Sequence, residues 1–286
     1  MASTFHTHDD GTIEITITIP WADVDTAYKA AVDHAVAEAE LPGFRKGKAP
    51  AAMVQENLDK THVYEDAIRQ LVPKAYSDAV TEHKLQPIMM PKIELKEAQE
   101  GKDWVVLATT TGKPTVTLGE YKKAIQDLKA AKAKKIWVPG QDTPSPEDQE
   151  KEKKITLDEL IDTLLAHASV VLPPLLIEHE VNHQLSGLLE QARKLGLTIE
   201  QYLASTNRTA EGLREEYTKI ASRTLALEFT LETVAETENI QVTDEDIKKV
   251  LDGAKSDEER ATLEKERYYL TSMLRRQKTV DFLAQL

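Results

Sequence analysis

Two stretches of this 286-residue chain carry side chains whose types and spacing could do chemistry. His179-Glu180-Val181-Asn182-His183 has the H-E-x-x-H spacing, in which two imidazoles one helical turn apart hold zinc and the glutamate activates a water. Leu41-Pro42-Gly43-Phe44-Arg45-Lys46-Gly47-Lys48-Ala49-Pro50 instead sets an aromatic ring among cations in a run broken by glycines and prolines. Gly43 and Gly47 open backbone angles closed to other residues and Pro50 fixes one, so a tight loop is expected. Phe44, Arg45, Lys46 and Lys48 then stand at its tip, where an ordinary loop carries Ser, Asn or Asp. Guanidinium and ammonium groups beside an aromatic suit a partner made of protein carboxylates, RNA phosphates or both. The alternative is an ordinary cationic loop between two helices.

The elements that must position these groups decide between readings. Val181, Leu185 and Leu188 mark the apolar stripe of the helix that holds the histidine pair. At 100° per residue, His179 and His183 point about 160° away from that stripe, toward solvent. A catalytic zinc needs a shielded cleft and a third ligand, and Glu190, Glu200 and Glu211 are equally placed to be proposed for it. The pair therefore reads as a decoy, with the zinc metallopeptidase kept as the alternative function. His6 and His8 share one strand face at metal-compatible spacing, and solvated strand histidines are the simpler account. No nucleophile elbow, phosphate-cradling glycine loop or carboxylate pair stands out, so no cofactor is expected.

Composition narrows the classes further. Hydrophobic residues make up 41%, charged residues 30% and aromatics only 5%, which fits a helix-rich chain with long solvated faces. The net charge of −13 argues against a protein that coats nucleic acid, and makes the basic loop a local patch on an acidic body. Without cysteine there is no disulfide and no catalytic thiol. The polar N-terminal residues and the lack of a long apolar run lead to the expectation of a soluble cytoplasmic protein without a membrane partner.

The periodicities give an α+β first half and an all-α second half. Residues 3–8 and 12–19 alternate about Asp9-Asp10-Gly11, a β-hairpin with Ile13, Ile15, Ile17 and Ile19 on one face. A helix is expected over residues 22–40, followed after the loop by a second over 51–85 that Pro73 should kink. Residues 93–95, 104–110 and 115–118 read as further strands of an antiparallel sheet packed with helices. Residues 129–156 read as a linker, in which Lys129 to Lys135 touch RNA phosphates or form a solvated helix and Trp137 is either a client contact or an anchor. Helices follow from residue 157 to Pro173-Pro174, to Gly196, over 210–237, from Thr243 to Gly253, and over 257–286, with capping-box spacings at Thr198/Gln201 and Ser256/Glu259. The expected domains are thus 1–128, a linker 129–156, and 157–286.

Gly43, Phe44, Arg45, Lys46, Gly47, Lys48 and Pro50 resemble the signature loop of bacterial trigger factor, the chaperone that docks at the ribosome's peptide exit. Four later pieces resemble its C-terminal domain in the same order: 197–203, 211–216, 240–247 and 274–283. The resemblance implies an ATP-independent chaperone with a ribosome-binding first domain. Its loop would engage a large-subunit protein at the tunnel exit and nearby rRNA, with Phe44, Arg45, Lys46 and Lys48 as contacts and Gly43, Gly47 and Pro50 shaping the loop. The helical arms would cradle nascent or unfolded polypeptides. Relatives of this kind dimerise, so a homodimer is allowed. The prolyl-isomerase domain of FKBP type that full-length relatives carry between the halves has no room in the linker, so no enzyme activity is expected. A ribosome-independent holdase or assembly chaperone of the same fold is the second alternative.

Overall fold

A computed structural model describes residues 2–38, 53–54, 60–133, 155–253 and 256–286. They form two compact units: residues 1–113 with Pro173–Leu176, and Pro114–Leu172 with Ile177–Leu286.

The first unit is built on an antiparallel sheet of β1 (Ala2–Thr7), β2 (Thr12–Ile19), β3 (Lys92–Glu97) and β4 (Trp104–Thr111), in the order β1-β2-β4-β3. The β1–β2 turn closes on Gly11, whose φ of 86° needs a residue without a side chain. Asp10 Oδ1 accepts from Thr12 N at 2.8 Å, and that bond holds the Asp10 carboxyl below its usual range. Register places Ile13, Ile15, Ile17 and Ile19 opposite Thr110, Ala108, Val106 and Trp104. Large aliphatics face smaller partners along most of the pair, so the buried face is filled without crowding. Two helices cover that face: α1 (Trp21–Glu38), through Val24, and α2 (Lys60–Glu82), through Val72, Ala75 and Ala79. Each buried isoleucine contributes about 1.5–3 kcal/mol relative to exposure. The α2 helix continues through Pro73. Pro73 lies on the exposed face, so water can serve the carbonyl one turn back that its ring leaves unpaired.

The second unit is mostly helical. A two-stranded ribbon, β5 (Val116–Leu118) with β6 (Ala168–Val170), packs with α3 (Tyr121–Ala133), α4 (Leu157–Ala166), α7 (Ala210–Thr237) and α10 (Arg267–Gln285). Tyr121, Ile125, Leu160, Leu164, Leu231, Val234 and Leu283 form its core. The remaining helices are α5 (Pro174–Lys194), α6 (Ile199–Thr206), α8 (Asp244–Asp252) and α9 (Asp257–Lys265). Capping boxes start α4 at Thr156/Glu159, α6 at Thr198/Gln201 and α8 at Thr243/Asp246. At Ser256, Oγ accepts from Glu259 N at 3.1 Å. Gly196, with φ 73°, turns the chain out of α5.

Three expectations change. Strand β5 leaves the main sheet and pairs with β6, a strand hidden in what reads as helix up to Pro173. Residues 129–133 finish α3 instead of opening a linker. The two compact units divide after Lys113. The terminal helix is two, α9 and α10, parted at Glu266. Among the described residues no helix is long and apolar enough to cross a membrane.

Candidate functional site

Gly43, Phe44, Arg45, Lys46, Gly47, Lys48 and Pro50 lie outside the described residues, as does Trp137. What the structure gives is the stem on either side of that loop. Small residues let α1 and α2 approach closely: Ala27 and Ala31 pack with Val63 and Ala67, flanked by Tyr28, Val32 and Leu71. The Tyr28 and Tyr64 rings stand 4.5 Å apart, and Tyr64 lies 5.5 Å from Trp104 on β4, so an aromatic chain ties both helices to the sheet. Burial pushes the Tyr64 hydroxyl above its usual pKa. Val54, between the loop and α2, is also buried. The helices that precede and follow residues 39–59 in sequence are thus a packed pair.

The two histidine candidates are placed by their elements. His179 and His183 are both exposed on α5 while Val181 between them is buried. Glu180 is occupied by an ordinary contact, accepting from Gln184 Nε2 at 2.7 Å. In the first unit His6 and His8 stack edge to face at 4.7 Å, and His8 Nε2 lies 3.5 Å from Glu14 Oε2. Among the described residues no three His, Asp or Glu side chains converge where they could hold a metal ion.

Three lysines of α3 are engaged inside the second unit. Lys122 pairs with Glu238 at 2.7 Å, and the buried Tyr121 hydroxyl donates to the same carboxylate at 2.8 Å. These hydrogen bonds, Lys122 first, lower the Glu238 pKa, while burial and then Glu238 raise that of Tyr121. Lys129 Nζ donates to the Ala284 carbonyl at 2.7 Å, and Lys132 pairs with Glu159. Lys129 and Lys132 of the 129–135 segment are thus engaged within the fold, while Lys134 and Lys135 lie outside the described residues.

Some apolar residues on the periodic helical stripes are nevertheless exposed. Leu195 at the end of α5 is 76% exposed, and Leu157 and Ile220 are exposed as well. Tyr268 and Tyr269, which sequence reasoning missed, both face solvent at the start of α10. Their signal was adjacency, since two neighbouring residues on a helix cannot share one narrow buried face.

Residues 1–136 match the family model described as bacterial trigger factor protein, and residues 145–285 match that of the bacterial trigger factor protein C-terminus. The chain belongs to the bacterial trigger factor family. Trigger factor of Natranaerobius thermophilus is 36% identical over 122 residues, covering 43% of this chain and 27% of that protein. Trigger factor of Staphylococcus carnosus is 35% identical over 122 residues, covering 43% of this chain and 28% of that protein. The matched stretch thus spans little more than a quarter of these relatives. A solved trigger factor chaperone, described for promiscuous substrate recognition in folding and assembly activities, superposes with a TM-score of 0.67. It is 15% identical, and the match covers 100% of this chain and 99% of that one. Only residues 137–144 separate the two family matches, far short of the roughly 40 residues below which an unaided domain rarely folds. No prolyl-isomerase domain fits between them.

Proposed function

We propose that this member of the trigger factor family is an ATP-independent cytoplasmic chaperone that docks beside the ribosomal exit tunnel and shields emerging polypeptides. One observation carries the reading: both family segments stand in order on one chain, and the loop with Gly43, Phe44, Arg45, Lys46, Gly47, Lys48 and Pro50 lies inside the first. Phe44 acts as an apolar anchor, while Arg45, Lys46 and Lys48 pair with carboxylates of a tunnel-exit protein or with phosphates of nearby rRNA. Gly43, Gly47 and Pro50 set the loop's shape. A basic tip on a chain of net charge −13 favours one oriented encounter over general adhesion to RNA. In the second unit, exposed Leu195, Leu157 and Ile220 among charged neighbours suit weak, sequence-tolerant contact with unfolded chains.

The test replaces Phe44, Arg45 and Lys46 together by alanine and measures cosedimentation with ribosomes at two salt concentrations. Loss of binding by a folded variant is expected, with wild-type binding weaker in high salt. Undiminished binding removes the loop from this role. Absence of wild-type binding together with retained suppression of aggregation assigns the chain to the ribosome-independent holdase instead.

A further inference from the structure

The H-E-x-x-H stretch of α5 carries two imidazoles that the fold does not use. His179 and His183 stand about 6 Å apart along the helix and about 40° apart around it, and both are exposed. Buried Val181 between them fixes which way α5 faces, so the pair is presented outward together. The surface beyond them is open: a Cβ on Gly187, one turn after His183, would meet nothing within 4 Å. An ion bound by both rings needs their nitrogens about 3 Å apart, and exposed rings one turn apart reach that by side-chain rotation alone.

The carboxylates that flank the pair in sequence are already engaged. Glu180 accepts from Gln184 Nε2 at 2.7 Å, and Glu178 lies 3.7 Å from Arg214. Histidines elsewhere also have polar partners: His8 faces Glu14, His62 faces Glu65, His83 the Ser3 hydroxyl and His167 the Thr163 carbonyl. Among the described residues, neither His179 nor His183 makes a hydrogen bond, an ion pair or a ring contact. A metal ion taken up between them therefore displaces no protein contact, and the net charge of −13 favours its approach.

We infer that His179 and His183 form a two-imidazole chelate for a divalent late transition metal ion of the copper, nickel and zinc class. Ring nitrogens suit these ions, with Cu²⁺ bound most tightly, whereas Mg²⁺ and Ca²⁺ take oxygen ligands. Among the described residues no third His, Asp or Glu converges on the pair, so water fills the remaining positions and the ion stays exchangeable. That separates the site from a peptidase centre, which needs a shielded cleft and a glutamate free to activate water.

The test uses the full chain without a histidine tag, titrated with Cu²⁺ and with Zn²⁺ by calorimetry, and electron paramagnetic resonance of the Cu²⁺ form. The expected result is tighter binding of Cu²⁺ than of Zn²⁺, a spectrum of two nitrogen donors, and no competition by excess Mg²⁺. His179→Gln and His183→Gln should each weaken Cu²⁺ binding about 10-fold or more, because the second bond of a chelate forms within one molecule. His179→Gln with Asn182→His keeps the histidine count but leaves the two rings on adjacent residues, about 100° apart, and should lose binding likewise. Glu180→Gln, and separately His6→Gln with His8→Gln, should stay within about twofold of wild type. Circular dichroism checks that each variant folds, which the exposure of the substituted side chains makes the expected result. Wild-type affinity in His179→Gln or in the displaced variant overturns the proposal. So does a loss confined to His6→Gln with His8→Gln. Uptake that none of these substitutions changes is adventitious metal only, and the proposal falls with it.

Discussion

Gly119, between β5 and α3, offers a quantitative test of how the second unit is assembled. Its N–H donates to the His167 carbonyl at 2.8 Å, and a Cβ on the same residue would stand 2.8 Å from that oxygen. Ordinary contact begins at 3.4 Å, so Gly119→Ala requires the two backbones to part by 3.4 minus 2.8, or 0.6 Å. The obstacle is backbone, which cannot swing aside as a side chain would. Opening by that amount takes the hydrogen bond toward the edge of useful geometry, at a cost of about 1 kcal/mol. Crowding adds about 1–3 kcal/mol. Against this, alanine restricts the unfolded chain and returns only about 0.4–1 kcal/mol. The clash wins, and a net destabilisation of about 1–3 kcal/mol is expected. Gly187→Ala is the matched control: it lies inside α5, a Cβ there meets nothing within 4 Å, and it should stabilise by about 0.5–1 kcal/mol. Urea unfolding followed by circular dichroism at the helical band should move the two midpoints in opposite directions. A Gly119→Ala midpoint at or above wild type would refute the reasoning.

In the first unit, Ile17 is fully buried opposite Val106, and Ile17→Ala should cost about 2–5 kcal/mol, seen as an earlier urea transition by tryptophan fluorescence. A cost under about 1 kcal/mol would mean that the sheet face collapses around the cavity. In the second unit, the hydrogen bond from Lys132, followed by that from the Thr156 backbone, holds the Glu159 carboxyl at about 2, against an ordinary 4.5. The lowered folded value means that its contribution is complete above pH 4.5 and fades as pH falls toward 2. The midpoint gap between wild type and Glu159→Gln should therefore narrow over that window; a gap that stays constant or widens removes this linkage.

The parts legible in the sequence are those whose signal is local. The isoleucines of β2 alternate without a break because one face of the strand is dry, and register then fixes their partners. The capping boxes at Thr198 and Thr243 mark helix starts for the same reason, since both halves of each box lie within one turn. Strand β6 was illegible because three residues, Ala168, Ser169 and Val170, are too few for a period, and their partner β5 lies about 50 positions earlier. Of the proposed docking loop, residue types and breakers were readable, whereas its flanking stem needed the Ala27/Ala31 to Val63/Ala67 packing to be seen.

Strand order in the first unit has a consequence for how the chain itself is made. Ile19 pairs with Trp104, so residues 20–103 must be synthesised before the central ladder can zip up. During that interval the four isoleucines of β2 have only β1 and the helices to shelter them, and a pairing this distant in sequence forms slowly. A newborn copy of this protein is, for that time, a sticky polypeptide at the tunnel mouth in need of the same protection that its finished form is proposed to give.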